Sequence, residues 1–462
     1  MKTKKTLFIA GFLLTLLSLS AVLSKIDRKT IFQNYAQTEF NDFTPDKIFG
    51  QPDYTEIEPN QITANRVFHP QGVLVDRGIS PNRVYIWDSG NSRILGYSSL
   101  GVCNGGTNNN QPCVNNKDCP EGICSINETK NADLVIGQPN FIKGTCNGNS
   151  ILLSNPTAGT LCSQNHPYTV SLMESPEPNQ MAVDVNHNLY VFEKYNNRVL
   201  RFNDPFNTDV VADFVWGQSD FVSRGKNRTG LDSVGKCWGA TANIGNNTLD
   251  GGCSMGVGLD IDPQGNLWVA DTGNYRVLRF PFNSSLGRPA ETADVVIGQP
   301  DFTSFICQGP EKFNPCIIKN QNADFLAGRI LSSPNSVRYN YHTNQLLVVD
   351  WPCSECLFRI LIYNPPFSNF MPAEEIILSD VEAGTYPLYI HRPAGIEIDP
   401  NDSSGFWVNT TKEDANSDKG AALFLKKQEG QWIIAKKTDG VTHPAGGIGV
   451  DSEGNIFLSF PF

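Results

Sequence analysis

Short apolar runs of four to six residues, separated by polar turns, recur along this chain at a long spacing. In the fullest copy the runs fall within residues 256–262, 267–271, 276–280 and 294–298. A turn with the sequence Asp-Pro-Gln-Gly separates the first two of them. Apolar, β-branched runs bounded by turn residues are typical of β-strands, so the unit predicts four short strands.

Further copies begin near residues 71, 181, 334, 394 and 447, and the last copy contains only the first two runs. No segment beyond the N-terminus shows a sustained helical period. Six units of four strands predict an all-β fold, a six-bladed β-propeller, in which each sheet is buried between its neighbours. The isolated segment Asp46–Pro52 matches the outer strand of the other copies. It therefore predicts an N-terminal strand that closes the last blade.

The motifs also resemble a known family. Gly-Asn-Leu-Trp-Val-Ala-Asp-Thr-Gly-Asn at 265–274 and Arg-Val-Leu-Arg-Phe at 276–280 are similar to the NHL repeat. The resemblance extends over about residues 46–462. It implies a binding scaffold, although related six-bladed propellers include peptidyl-amidoglycolate lyases, gluconolactonases and paraoxonase-like hydrolases. Because one fold serves many functions, the function has to be argued from the site.

The N-terminus predicts export. Lys2, Lys4 and Lys5 precede an apolar run from Leu7 to Leu23, as in a secretory signal. The run is just long enough to span a bilayer, so a cleaved signal peptide and an uncleaved anchor both remain open. The predicted organisation is a signal or membrane anchor at 1–24, a linker at 25–45 and the propeller at 46–462. Localisation is then secreted or at the cell surface, with membrane contact only through the N-terminal segment.

Composition supports this interpretation. The chain has 40 Gly and 29 Pro, as a turn-rich β protein requires, and its net charge is -11. Since no basic stripe with interleaved aromatic residues is present, the sequence argues against nucleic-acid binding.

The chain contains 12 cysteines, grouped closely in sequence and expected in loops between strands. Pairing within each group predicts disulfides that fasten insertions, as in exported proteins. The four cysteines within 103–124 could instead hold zinc, and their disulfide connectivity is left open. Cys353 and Cys356 have redox-motif spacing, but a structural clip is favoured. The full set is Cys103, Cys113, Cys119, Cys124, Cys146, Cys162, Cys237, Cys253, Cys307, Cys316, Cys353 and Cys356.

Residues that recur in every copy are assigned structural roles, because they solve a problem common to every copy. Acid–arginine pairs are expected to form ion pairs and turn contacts, and glutamines to end the outer strands. These residues are Asp88, Arg93, Glu193, Arg198, Asp271, Arg276, Asp350, Arg359, Gln51, Gln138, Gln218 and Gln299.

Unrepeated residues are the candidates for chemistry. His69, His391 and His443 precede the inner strands of copies one, five and six, which are neighbours in a six-membered ring. Neutral imidazoles bind zinc and similar metals, so these side chains could converge at the channel mouth. Glu397 is an unusual carboxylate within an inner strand and could contribute to a calcium site. Against this, the histidines differ in register by one position, and no cofactor is predicted.

Long insertions indicate where a partner would bind. The Gly-Gln motifs at 50, 137, 217 and 298 are 87, 80 and 81 residues apart. The excess lies mainly in 139–177, 219–255 and 300–333, which connect an outer strand to the next inner strand. Such connections emerge on one face of a propeller, a common binding face. We therefore expect a binding or scaffold module for a protein, peptide or glycan on this long-loop face. The alternative is a channel-site, metal-dependent lyase or lactone hydrolase, with Zn or Ca, and catalysis is the less favoured choice.

Overall fold

The computed structural model describes residues 46–51, 61–148, 155–163, 180–228, 244–251, 257–304, 324, 327–351, 358–379, 390, 393–410, 420–438 and 446–459. The chain divides into two units, residues 1–46 and 47–462, and every described strand lies in the second. Among the described residues, no helix has the length and apolar character needed to cross a membrane.

The described strands form an all-β architecture of four-stranded antiparallel sheets, as predicted. Sheet 1 contains β1 (Pro70–Asp76), β2 (Arg83–Asp88), β3 (Arg93–Tyr97) and β7 (Leu134–Ile136). A separate small sheet, here called the finger (residues 101–126), lies between β3 and β7 in the chain and contains β4 (Gly101–Gly105), β5 (Pro112–Cys113) and β6 (Gly122–Ile126). Sheet 2 contains β8 (Met181–Val183), β9 (Leu189–Glu193), β10 (Arg198–Phe202) and β11 (Phe214–Trp216).

The later copies follow the same order. Sheet 3 contains β12 (Gly258–Ile261), β13 (Leu267–Asp271), β14 (Arg276–Phe280) and β17 (Val295–Ile297), with a hairpin of β15 (Phe282–Asn283) and β16 (Arg288–Pro289) inserted. Sheet 4 contains β18 (Pro334–Asn340), β19 (Gln345–Asp350), β20 (Phe358–Tyr363) and β21 (Glu375–Ser379). Sheet 5 contains β22 (Ile396–Glu397), β23 (Gly405–Thr410), β24 (Ala421–Gln428) and β25 (Gln431–Lys437). Sheet 6 contains β26 (Ile448–Val450) and β27 (Ile456–Leu458).

Each sheet packs its faces against its neighbours in sequence. The first strands contact one another in chain order, from β1 through β8, β12, β18 and β22 to β26, and β26 also contacts β1. The core lies between successive sheets: Leu74 of sheet 1 packs with Leu189 of sheet 2, and Val296 of sheet 3 packs in a cluster with Tyr190 of sheet 2. Burial between neighbouring sheets is what stabilises strands too short to fold alone.

The predicted N-terminal closing strand is not among the described strands, so closure of the last blade by this segment stays a prediction. Gly50 makes an isolated parallel bridge with Arg66, and sheet 6 has two strands within the described part of the chain. Gly298 bridges Ile330 in the same way just before β18. Gly50 therefore holds the place before sheet 1 that Gly298 holds before sheet 4, without a described strand pairing to β27.

The cysteine-rich insertion differs from the loop that was expected. Cys103, Cys113 and Cys124 lie in β4, β5 and β6, because two disulfides allow this insertion to form its own small sheet. The pairs are Cys103–Cys119 and Cys113–Cys124, and a third disulfide joins Cys146 to Cys162. Disulfides of this kind are expected of an extracellular protein.

Candidate functional site

A buried acid–arginine pair lies at the turn between the second and third strands of each of the first four sheets. The carboxylate ends the second strand, and the arginine is the first residue of the third strand, or the second residue in sheet 4. Antiparallel pairing therefore places them opposite each other, as for Asp88 and Arg93. The ion-pair distances are 2.6 Å for Asp88–Arg93, 2.6 Å for Glu193–Arg198, 2.7 Å for Asp271–Arg276 and 2.7 Å for Asp350–Arg359. Burial raises the pKa of Asp88, Glu193 and Asp271, and the guanidinium groups and nearby N–H donors oppose that rise.

Each arginine binds more than its acid. The Nη1 atom of Arg276 donates to the carbonyl of Phe302 at 2.6 Å, and Nη2 donates to Gly245 at 2.9 Å and Thr248 at 3.0 Å. Phe302 follows the outer strand of sheet 3, whereas Gly245 and Thr248 belong to the connection that enters the sheet. We call this unit of acid, arginine and bound carbonyls the lock. Arg93 and Arg198 form equivalent locks with the carbonyls of Phe141 and Phe221, at 2.6 Å in both cases.

The repeated glutamines hold the same turns. Gln138 Nε2 donates to the carbonyls of Ser92 at 2.9 Å and Thr145 at 2.8 Å. Ser92 has a φ of 49°, in the left-handed region, so its turn benefits from a fixed partner. Gln218 and Gln299 bind the carbonyls of Asn197 and Tyr275, the equivalent left-handed positions, at 2.9 and 3.2 Å. Gln51 follows the bridged Gly50.

Two of the long connections are fastened by asparagine pairs that the sequence analysis missed. The Asn147 and Asn196 side chains exchange hydrogen bonds at 3.3 and 2.9 Å, and those of Asn227 and Asn274 do so at 3.0 and 2.9 Å. The signal was present in the sequence. Asn147 and Asn227 each follow a Gly-Gln glutamine by nine residues, and Asn196 and Asn274 each follow the lock acid by three.

These contacts place both ends of the connections on one side of the sheets. The described parts of residues 139–163 and 219–251 lie beside the turns between second and third strands, through the locks and asparagine pairs. We call this the long-loop side. Ile142 and Val222 follow the lock phenylalanines there, with 67% and 51% of their surfaces exposed. Apolar side chains at equivalent places in two neighbouring sheets are available to a partner.

Of the three candidate histidines, only His69 lies in the described part of the chain. It is half-buried, has a φ of 55°, and its carbonyl accepts a 2.6 Å hydrogen bond from Ser89 Oγ. Burial lowers the pKa of its imidazole. His391 and His443 lie outside the described residues, so their convergence with His69 stays a prediction.

Glu397 belongs to a series of ion pairs between residues of different sheets, which we call the charge chain. Its Oε1 accepts a hydrogen bond from Arg77 Nη1 at 3.0 Å, and its Oε2 lies 2.9 Å from Arg338 Nη2. Arg338 Nη1 in turn donates to Asp260 Oδ1 at 3.0 Å. Both oxygens of Glu397 are thus engaged by guanidinium groups. This arrangement favours joining sheets 3, 4 and 5 over binding a cation.

Asp260, Arg338 and Glu397 occupy the same place in their repeats, two residues before the residue that opens the next turn. Leu74 and Ala182 occupy it in β1 and β8, where they pack into apolar clusters. Leu74, Ala182, Asp260 and Arg338 each contact the following sheet. Burial raises the pKa of Asp260, and Arg338 opposes this effect. The nearby carboxylates of Glu397 and Asp260 outweigh desolvation and raise the pKa of Arg338.

The recurring aspartates between first and second strands have turn roles. Asp262 Oδ2 accepts a hydrogen bond from Trp268 Nε1 at 2.9 Å, and Asp399 Oδ2 accepts one from Trp407 Nε1 at 3.2 Å. Asp184 Oδ2 similarly accepts from the hydroxyl of Tyr190 at 3.2 Å. These turns lie at the opposite ends of the first strands from the long-loop side, and we call this the turn side.

Cysteine thiolates do not provide a metal site in the described structure. Within that part of the chain, the one group of three metal-ligand side chains is Cys103, Cys113 and Cys119. All three are in disulfides, which leaves no thiolate to bind zinc, so this geometry favours the disulfide alternative for the cluster. The remaining cysteines, Cys237, Cys253, Cys307, Cys316, Cys353 and Cys356, lie outside the described residues.

Comparison with known proteins supports the repeat assignment. A family model of the NHL repeat matches residues 257–280, which span the first three strands of sheet 3. The chain therefore contains an NHL repeat, and the resemblance expected from the sequence is confirmed. No curated protein matches the chain.

Several solved structures are similar to the chain at low identity. Hydrazine synthase of Kuenenia stuttgartiensis is 10% identical, with 88% of this chain and 77% of that one covered and a TM-score of 0.41. Virginiamycin B lyase of Staphylococcus aureus is 11% identical, with coverages of 86% and 80% and a TM-score of 0.36. A putative 6-phosphogluconolactonase of Bacteroides uniformis is 10% identical, with coverages of 86% and 80% and a TM-score of 0.41. At such TM-scores these similarities carry no argument about this chain.

Proposed function

We propose that this protein is an exported six-bladed NHL-type β-propeller whose long-loop side binds a protein, peptide or glycan. The order of contacts from β1 to β26 and back to β1 supports six blades in a ring. Three disulfides and the N-terminal apolar run support export.

One observation carries the binding proposal. The locks and asparagine pairs fix both ends of long connections on the same side of the molecule. Rigid anchors allow the intervening residues to vary without loss of the fold, which is how binding loops are presented on other β scaffolds. The side chains of the recurring polar residues bind one another and the backbone of these connections. This supports a scaffold rather than a catalytic centre.

Glycan and peptide arrays probed with the purified protein test the proposal. The double variant I142S/V222S removes the exposed apolar groups of the long-loop side, and we expect it to weaken each bound probe by roughly tenfold. V102S/I123S is the matched control, because Val102 and Ile123 are similarly exposed on the finger, which contacts the turn side. Equal loss in both variants, or no bound probe on either array, would contradict the proposal.

A further inference from the structure

The first and the last sheets depart from the pattern of these turns, because their turn acids pair with side chains from other sheets. In sheet 1 Asp76 Oδ2 lies 2.8 Å from His187 Nδ1 of sheet 2. In sheets 2, 3 and 5 the turn aspartate receives a hydrogen bond from an aromatic residue of its own second strand. In sheet 4 both partners change together, to Asn340 and Leu347. Sheet 6 keeps the acid, Asp451, but has Phe457 in the aromatic position, and a phenyl ring has no donor.

The missing donor comes from the finger of sheet 1. Asn115 Nδ2 donates to Asp451 Oδ2 at 2.9 Å, across 336 positions of sequence. The backbone N–H of Asn116 donates to Glu453 Oε2 at 3.0 Å, and Lys117 Nζ donates to the carbonyl of Ser452. Three successive finger residues therefore bind three successive residues of one turn. Hydrogen bonds to carboxylates are stronger than neutral ones.

The finger is built to hold these three residues in place. Asn115 Oδ1 caps the short helix Asn116–Asp118 by accepting from Lys117 N at 3.1 Å, and Asp118 binds back to Asn115 N at 3.2 Å. The disulfides Cys113–Cys124 and Cys103–Cys119 enclose this helix. Residues restrained in this way lose little further entropy when they bind the turn.

The described part of sheet 6 consists of β26 and β27, and β26 contacts β1 of the first sheet. Sheet 1 adds two further links, because Ser452 N donates to Asn82 Oδ1 at 3.0 Å and Arg77 Nη1 donates to the carbonyl of Val450 at 2.9 Å.

We propose that the finger is a disulfide-dependent clasp that fastens the last sheet to the first at the turn side. The clasp acts on the stability of sheet 6, independently of any ligand on the long-loop side. Opening the disulfides frees the helix Asn116–Asp118 and removes the donors that the finger supplies to Asp451 and Glu453. Sheet 6 then opens locally more easily, although Asn455 still donates to Asp451.

Hydrogen exchange of the amides in residues 446–459, measured on the full chain, tests the clasp. In N115D the new carboxylate still caps Lys117 N but has no donor for Asp451. We expect exchange in 446–459 to be roughly tenfold faster, while the finger stays protected. N104A is the control, because Asn104 is exposed on the finger away from this contact.

A second pair of variants tests the disulfides. Replacing Cys103, Cys113, Cys119 and Cys124 by Ser should accelerate exchange in 446–459 at least as much as N115D does. C146S/C162S removes a disulfide elsewhere and should leave that segment unchanged. If the finger variant does not fold, N115D decides the matter. Exchange at the wild-type rate in N115D, or equal acceleration in C146S/C162S, would overturn the clasp.

Discussion

In each of the first three sheets a single guanidinium group binds three parts of the chain. These are the turn between the second and third strands, the residues after the fourth strand, and the connection that precedes the first strand. Arginine suits this role because its planar group donates in several fixed directions and stays charged when buried. Lysine offers one nitrogen on a flexible stem and cannot reach the same set of acceptors. The repeated arginines are therefore required by geometry as well as by charge.

Replacing Arg276 by Lys should destabilise the protein strongly. The buried carbonyls of Phe302, Gly245 and Thr248 would lose their donors. Asp271 would lose its charged partner and keep only the hydrogen bonds from Asn274 Nδ2 and Asp250 N. Disruption of a buried pair costs about 3–5 kcal/mol, which urea unfolding would measure. R279K is the control on the same strand, because the Arg279–Asp294 pair is partly exposed and is worth less than about 1 kcal/mol. Similar losses in both variants would contradict the lock.

His69 should make stability depend on pH. Burial lowers the pKa of its imidazole below 6.5, so the unfolded chain takes up a proton at a higher pH than the folded chain does. Stability is therefore complete above the unfolded pKa and falls as pH decreases through that range. H69N removes the titration and suits the positive φ at this position. Thermal unfolding between about pH 5 and pH 8 should show a smaller decline in H69N than in the wild type. Parallel curves would refute this.

The sequence predicted which residues would pair at this scale, but not what else they bind. The constant spacing of acid and arginine follows from adjacent antiparallel strands, so it can be inferred locally. The carbonyl partners of Arg276 lie up to 31 positions away, in connections with no regular pattern. Glu397 shows the same limit, since Arg338 lies in another strand and Arg77 in the turn after β1, and alternation alone cannot identify either of them.

At the scale of the strand, the position two residues before the turn that follows the first strand is apolar in some sheets and charged in others. Leu74 and Ala182 fill it in sheets 1 and 2, and Asp260, Arg338 and Glu397 fill it in sheets 3, 4 and 5. Buried ion pairs gain little over well-packed apolar groups, but removing one partner leaves the other unpaired. The charge chain therefore stabilises only as a complete set.

Two variants compare the loss of one charged residue with the replacement of Asp260, Arg338 and Glu397 together. E397L alone leaves Arg338 and Arg77 without their shared carboxylate and should cost about 3–5 kcal/mol. The triple variant D260L/R338M/E397L copies the apolar choice of sheets 1 and 2 and leaves only the partly exposed Arg77 without its carboxylate, so it should be more stable than E397L alone. Urea unfolding measures both. A triple variant less stable than E397L would contradict the set.

Strands were predictable because burial between sheets imposes the same apolar runs on every copy. The finger was not, since its strands Gly101–Gly105 and Gly122–Ile126 are rich in Gly, Asn and Cys and depend on disulfides instead of a core. Sequence could place its cysteines together but could not choose their connectivity, which depends on which strands pair.

At the scale of the whole molecule, the first strands of the six sheets contact one another in chain order. The ion pairs of Asp260, Arg338 and Glu397 join sheets 3, 4 and 5. We expect no bound metal to contribute to this assembly. Chelation of the purified protein should leave its unfolding temperature unchanged, because Glu397 is fully engaged by arginines. A stoichiometric zinc or calcium that is lost in H69A/H391A, with a lower unfolding temperature, would support the lyase or hydrolase alternative instead.

All four groups that Arg276 binds come from residues 245–302, a single continuous stretch of chain. A gene duplication that copied this stretch in one piece would deliver a working lock, with no compensating change needed in the older copies. Growth by tandem duplication is therefore accessible to this architecture one step at a time, and each new copy is free to diverge wherever the lock does not reach.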